Sequence, residues 1–181
     1  VSGRAPGKGG EMVFDPSDRR RAIGTVQEAT EMDVEAALTA AAAAAPRWDA
    51  TPAGERAACL ERMADLMEAH TAELMALCTR EAGKSIRDGI AEVREAVDFC
   101  RYYAVRARAD FAAPQILPGP TGEHNQIALH GRGVFACISP WNFPLAIYCG
   151  QITAALAAGN AVISKPAEQT PLIAHRAVRL L

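Results

Sequence analysis

No apolar run in this sequence approaches the roughly 20 residues that a helix needs to cross a bilayer, so a membrane-spanning helix is not expected. Neither charge dominates: 19 Lys and Arg stand against 21 Asp and Glu, a formal charge of −2. That balance argues against a nucleic-acid surface and against a disordered polyelectrolyte. The five cysteines (Cys59, Cys78, Cys100, Cys137 and Cys149) are odd in number and form no CxxC pair. They read as reduced thiols, mostly buried, which points to a cytoplasmic protein without a disulfide framework. No cysteine lies near a His or Arg cluster that would activate a thiolate. His70, His124, His130 and His175 show no ligand spacing, so no metal site is expected. Aromatic residues are scarce at 6%, and the adjacent Tyr102 and Tyr103 read as packing residues rather than a base-stacking platform. No signal-peptide pattern opens the chain.

Half of the 181 residues are hydrophobic, enough to build a core. The chain opens on Val1 and closes on Leu181 inside an amphipathic helical pattern, which reads as a piece of a larger protein. Residues 1–12, Gly-rich and basic, read as a lead-in or linker. Val13 to Asp18 reads as an extended entry and turn, and Ile23–Val26 as a short strand. Thr30, with Asp33 three residues on, caps a helix over Glu31–Ala45, and Pro46 marks its exit. Val34, Leu38 and the alanine run give that helix a narrow apolar stripe suited to another helix, and Trp48 reads as a core anchor. Thr51-Pro52 caps a second helix with Leu60, Met63, Ala64 and Met67 on one face. A third restarts at Thr71 and stops at Gly83. A fourth spans Arg87–Arg108, with Ile90, Val93, Val97 and Ala104 in phase. After a break at Ala113–Pro120, Asn125–His130 alternates polar and apolar as a half-exposed antiparallel strand.

The stretch from Gly133 to Leu172 organises the rest. Val134 to Ser139 is apolar at nearly every position, which suits a parallel strand covered on both faces. Pro140-Trp141-Asn142-Phe143-Pro144 cannot be regular structure between its prolines. Leu145–Ala158 reads as a helix stopped by Gly159-Asn160, and Ala161–Ser164 as a second buried strand leading into Lys165-Pro166-Ala167-Glu168. Thr170 then caps a helix with Pro171 at its first position. The order β-loop-α-β-loop-α is a crossover unit of a parallel sheet, an α/β class in which ligands bind beyond the carboxyl ends of the strands. Both loops lie at that edge. The Asn142 amide can donate to an oxyanion from a loop stiffened by two prolines. Lys165 can donate to sugar hydroxyls, and Glu168 can accept from a ribose 2′-OH while repelling a 2′-phosphate. The bland alternatives are a turn asparagine and a solvated surface ion pair.

PWNFP followed by KPAE resembles the aldehyde dehydrogenase superfamily. The wording of GEHNQ at 122–126, CISPWNFPLAI at 137–147 and AALAAGN at 154–160 is similar to one branch of it. That branch is the glutamate γ-semialdehyde (1-pyrroline-5-carboxylate) dehydrogenase module of bifunctional proline-utilisation proteins. The resemblance implies N-terminal helices (31–108) and a β-extension (115–130) leading into the first β-α-β unit (134–181) of a Rossmann-like NAD-binding domain over 13–181. It implies NAD as cofactor, with FAD only if a proline dehydrogenase domain precedes the segment. It assigns Lys165 and Glu168 to the adenosine ribose, and Ile138, Ser139 and Trp141 to the cofactor cleft. Asn142 would stabilise the thiohemiacetal oxyanion, and Phe143 would wall the aldehyde pocket. The β-extension would pair with another subunit. The family's nucleophilic cysteine, general-base glutamate and Gly-rich nicotinamide-phosphate turn have no counterpart within these residues, and Asp15 stands where the family's opening turn has Asn.

Two further motifs fail on context. Gly131 to Ala136 matches G-x-G-x-x-A, but its strand follows the glycines instead of preceding them. Gly83-Lys84-Ser85 mimics the end of a phosphate-binding loop, but Cys78 occupies the position of the required first glycine. The readings left open are an aldehyde dehydrogenase of other specificity, a truncated scaffold or oligomerisation module without catalysis, and a simple nucleotide-binding module.

Overall fold

The computed structural model describes residues 10–181. A hairpin comes first, β1 (Glu11–Asp15) antiparallel to β2 (Asp18–Val26). Asp15 sets its turn by accepting hydrogen bonds from the Ser17 amide at 2.9 Å and the Ser17 hydroxyl at 2.6 Å. The lead-in read over 1–12 lies outside the described residues as far as residue 9, and Glu11 and Met12 already belong to β1. The strand read at Ile23 begins at Asp18, because the hairpin partner extends the pairing.

Thr30 starts α1 (Glu31–Ala50) through a full capping box: its hydroxyl accepts from the Asp33 amide at 3.2 Å, and its own amide donates to the Asp33 carboxylate at 2.9 Å. Contrary to the sequence expectation, the helix does not stop at Ala45 but runs through Pro46 to Ala50. The ring removes one helical hydrogen bond, and contacts to the far end of the chain hold the last turn in place. Trp48 Nε1 donates to the Leu156 carbonyl at 2.9 Å, and Asp49 accepts from the Gly131 amide at 2.6 Å. Thr51 closes α1 by donating to the Arg47 carbonyl at 3.0 Å, so it does not cap the next helix as its position before Pro52 suggests.

The helices α2 (Ala53–Ala69), α3 (Thr71–Ala82) and α4 (Ile86–Asp110) form the helical layer. Most of the faces read from sequence meet in one core (Met63, Ala64 and Met67 of α2, Leu74 and Cys78 of α3, and Val93, Ala96, Val97 and Cys100 of α4), while Leu60 and Ala104 join Ala57 and Ala107 in a second cluster. Ile90 misses it and stays exposed at the edge of the stripe. Gly83 ends α3 in the left-handed conformation (φ 68°), and the Ser85 hydroxyl caps α4 by accepting from the Asp88 amide at 3.1 Å. Tyr103 stacks on Phe99, whereas Tyr102 is largely exposed and meets Tyr103 edge-on.

Beyond α4, β3 (Gln115–Leu117) pairs antiparallel with β4 (Asn125–Ile127). The first of these has no sequence signal, and the second ends three residues before the expected His130. Then β5 (Val134–Ile138), α5 (Ala146–Ala157), β6 (Ala161–Lys165) and α6 (Pro171–Val178) follow in the predicted order, with β5 and β6 parallel and in register from Val134↔Ala161 to Ile138↔Lys165. Gly159 turns α5 into β6 with φ 88°, and a Cβ there would come within 2.6 Å of Asp49 Oδ1. The expected cover on both faces of β5 is missing: Cys137 is buried, but Phe135 and Ile138 are exposed. Among the described residues β5 has β6 as its strand neighbour, which leaves its other edge open. Nor does α1 lie against a helix; it leans on β6 and β5 and keeps Val34 and Leu38 exposed. Both α5 and α6 pack into the helical layer's core through Tyr148, Cys149, Ile152, Ile173, Ala174 and Ala177.

Candidate functional site

Because β5 and β6 run in the same direction, both motif loops leave the sheet at one edge. The Ser139 amide donates to the Lys165 carbonyl at 3.2 Å, joining the first residue of one loop to the last strand residue before the other. Helix α5 is tied across the same edge. Its Tyr148 hydroxyl shares a 2.7 Å hydrogen bond with the Ser164 hydroxyl, and Gln151 Nε2 donates to the Ile138 carbonyl at 3.1 Å.

The predicted site residues divide by exposure. Ser139 is buried beneath the loop, while Ile138 and Trp141 are 66% and 55% exposed and Phe143 is 41% exposed. Asn142, Lys165 and Glu168 are exposed. No hydrogen bond to another described residue engages the Asn142 amide, so it is not satisfying the turn's backbone groups. Glu168 accepts from Gln169 Nε2 at 3.0 Å. It does not pair with Lys165, so the surface ion pair that was the bland reading of these two residues is not formed among the described residues.

What holds the loops comes from the helical layer, and sequence reasoning missed it. Glu92 of α4, only 1% exposed, accepts from the Leu145 amide at 3.1 Å and the Ala146 amide at 2.9 Å through Oε2. It therefore caps α5 at the point where the PWNFP loop ends. Lys84 Nζ lies 3.0 Å from Glu92 Oε1, as an ion pair and not an aligned hydrogen bond, and 4.5 Å from the centre of the Phe143 ring. Glu81 of α3 does the same for α6, accepting from the Leu172 amide at 2.6 Å and the Ile173 amide at 2.8 Å. Thr170 sits at the expected cap position but its side chain makes no capping bond. Burial pushes the Glu81 carboxyl up to about 7, against the pull of the two amides. Both glutamates are in phase with their helix's apolar stripe, at 74-78-81 and 89-92-93-96. A charged residue in such a stripe is the signal that marks them.

Burial raises the thiols of Cys78 and Cys100 to about 12 and pushes those of Cys149 and Cys137 up as well, so none of these four is an activated nucleophile. An apolar hollow of about 500 Å³ flanks β5, lined by Phe135, Ile138, Gln151, Ala154 and their neighbours. Its one ionisable group is the thiol of Cys137, which burial keeps protonated, and it is the uncovered flank of the sheet, distinct from the loop apex. Among the described residues, no helix is long and apolar enough to cross a membrane, and no group of three His, Cys, Asp or Glu could hold a metal ion.

The model of the aldehyde dehydrogenase family matches residues 6–181. The bifunctional protein PutA of Escherichia coli (strain K12) is 51% identical over 178 residues, which cover 97% of this chain and 12% of that protein. The 1-pyrroline-5-carboxylate dehydrogenase of Staphylococcus aureus (strain MW2) is 36% identical over 180 residues, 95% of this chain and 35% of that protein. Among solved structures, 1-pyrroline-5-carboxylate dehydrogenase from Thermus with bound NAD superposes with a TM-score of 0.90 at 36% identity, covering 96% of this chain and 34% of that one. PutA from Bdellovibrio bacteriovorus gives 0.93 at 36% identity, over 98% of this chain and 18% of that one. The chain thus spans between 12% and 35% of the length of these curated relatives.

Proposed function

The chain belongs to the aldehyde dehydrogenase family, and from that premise we propose that it supplies one wall of the NAD cleft and the oxyanion donor of an NAD-dependent aldehyde dehydrogenase. The substrate is L-glutamate γ-semialdehyde, formed from 1-pyrroline-5-carboxylate and oxidised to L-glutamate in proline catabolism. Residues 13–181 are the N-terminal part of the NAD-binding domain in this reading. The observation that carries it is the shared edge: Asn142 and Glu168 from the two loops and Lys165 from the end of β6 are all exposed there, and the Ser139–Lys165 hydrogen bond joins the two segments.

Each residue has a separate task. Asn142 donates its amide hydrogen to the aldehyde oxygen as a cysteine thiolate, supplied by another part of the enzyme, attacks the carbonyl carbon. Lys165 donates to the adenosine ribose and Glu168 accepts from its 2′-OH, which favours NAD over NADP. Ile138, Ser139 and Trp141 shape the cleft, and Phe143 walls the aldehyde pocket. NAD supplies the hydride acceptor. The β3–β4 ribbon, with Ile116, Ile127 and Leu129 exposed, supports an oligomer built through this extension. The free cysteines support a reducing compartment, the cytoplasm. FAD belongs to this protein only if a proline dehydrogenase domain precedes the segment.

The test is NADH formation by the full-length protein with glutamate γ-semialdehyde and, in parallel, propanal. Faster turnover of the semialdehyde is expected. Turnover of propanal alone would overturn the substrate, and no turnover of either by protein that binds NAD would favour the scaffold reading. Residues 1–181 alone should form no NADH above a protein-free blank, because the nucleophile and general base lie elsewhere.

A further inference from the structure

We propose that Lys84 and Glu92 are positioning residues for Asn142: together they fix the end of its loop and the ring beside it, and so set the aim of the oxyanion donor. The inference rests on the role given to Asn142 above. The loop from Pro140 to Pro144 has few internal restraints beyond its two prolines, and its apex is exposed. Its far end is the opposite, with Pro144 and Leu145 fully buried. The amides of Leu145 and Ala146 both donate to one oxygen of Glu92, so the chain's exit from the loop is set by a carboxylate on another helix.

That carboxylate is almost wholly removed from water, and a charge so placed needs a partner. Lys84 is the partner. Its side chain is 17% exposed, low for a lysine, and its ammonium lies between Glu92 Oε1 and the face of the Phe143 ring. Phe143 is the residue next to Asn142. One cation thus neutralises the cap at the loop's end and holds the ring adjoining the donor. Local sequence makes this possible: Gly83 in the left-handed conformation ends α3, Ser85 caps α4, and the single residue between them is turned toward the site. The other motif loop receives nothing from this pair, since α6 is capped by Glu81. Lys84 and Glu92 therefore act on the chemical step and leave the ribose contacts alone.

The experiment is a double-mutant cycle in the full-length enzyme between Lys84→Met and Asn142→Ala. It reads the single-turnover rate of NADH formation per titrated active site, together with KM for NAD. A misplaced catalytic group can cost about 10²-fold, so Lys84→Met should lower the rate by roughly 10- to 10²-fold with KM for NAD within about twofold. In the Asn142→Ala background the same substitution should add less than about threefold, because the donor it aims is gone. Lys84→Arg, which keeps the charge, should restore most of the rate. If Lys84→Met does not fold, Lys84→Met combined with Glu92→Gln leaves no unpaired buried charge and an acceptor for the two amides, and carries the same expectation. A rate within about twofold of wild type, or an equal loss in both backgrounds, would overturn the positioning role while leaving the oxyanion role intact. Should Asn142→Ala itself react normally, the oxyanion role fails, and the positioning role fails with it.

Discussion

The loop between β5 and α5 and the loop between β6 and α6 are gripped in the same way, yet their anchors differ in charge balance. Each leads into a helix whose first amides donate to a buried glutamate of the helical layer, Glu92 in one case and Glu81 in the other. Glu92 has Lys84 at 3.0 Å, whereas Glu81 has no cation among the ion pairs of the described residues and its carboxyl is pushed up to about 7. A carboxylate with a partner can serve as a fixed point for chemistry. One without a partner bears the desolvation of its charge alone and titrates near neutrality. The loop with the paired anchor carries Asn142, the proposed oxyanion donor, and the other carries Glu168, a proposed ribose contact.

The comparison breaks most easily at Asn142. If Asn142 serves the chemical step while the ribose contacts lie with the other loop, Asn142→Ala in the full-length enzyme should lower kcat by about 10²–10³, or roughly 2.7–4 kcal/mol, the usual effect of losing one oxyanion donor. KM for NAD and the melting temperature should hardly change. A large rise in KM for NAD with kcat preserved would mean that the two loops do not divide the work in this way.

The second prediction tests the unpaired anchor. Unfolded, Glu81 titrates near its ordinary 4.5; folded, near 7. Between those values the folded protein holds a proton that the unfolded chain has released, so this group's contribution to stability is complete below 4.5 and is lost as pH rises through 7. The difference corresponds to as much as roughly 3 kcal/mol. Glu81→Gln, neutral at every pH, removes the titration. The melting temperature of wild type relative to Glu81→Gln should therefore fall as pH rises across that window. A constant difference would show that Glu81 keeps one protonation state throughout, and the contrast with Glu92 would lose its physical basis.

Both anchors show where sequence reading stops. The order of β5, α5, β6 and α6 was legible because apolar runs, prolines and Gly159 punctuate it, and the buried faces of α2, α3 and α4 because their spacing is regular. Features fixed by distant partners were not. Pro46 reads as a helix end until Trp48 is seen donating to the Leu156 carbonyl, 108 residues away. Thr170 reads as a cap until Glu81 is seen 91 residues upstream of the amide it accepts from. The three-residue β3 between Pro114 and Pro118 exists through its pairing with β4, not through any propensity of its own. At the site the sequence pointed to the motif residues, all but Ser139 exposed, and missed Lys84 and Glu92, whose meaning depends on what they touch. In the sequence Lys84 stands out only within a failed phosphate-loop match.

The smallest effect expected is at Glu168, and it probes the second loop without disturbing the first. The carboxylate is exposed and among the described residues meets only Gln169, so its influence on a bound cofactor passes through solvent and is screened. Replacing it with Gln keeps a group that can meet the ribose 2′-OH but removes the charge that repels a 2′-phosphate. Two charges about 4 Å apart in water interact by only about 1 kcal/mol, so the ratio of kcat/KM for NADP to that for NAD should rise by about fivefold rather than by orders of magnitude. The change should appear in KM for the cofactor, with the single-turnover rate at saturating NAD unaltered, because Asn142 and its anchor are untouched. Raising the salt concentration should shrink the wild-type preference for NAD, since screening weakens the repulsion between the carboxylate and a 2′-phosphate. An unchanged cofactor ratio would place Glu168 away from the ribose. A fall in the single-turnover rate would show that the two loops are coupled through the Ser139–Lys165 hydrogen bond and are not the separate devices that their anchors imply.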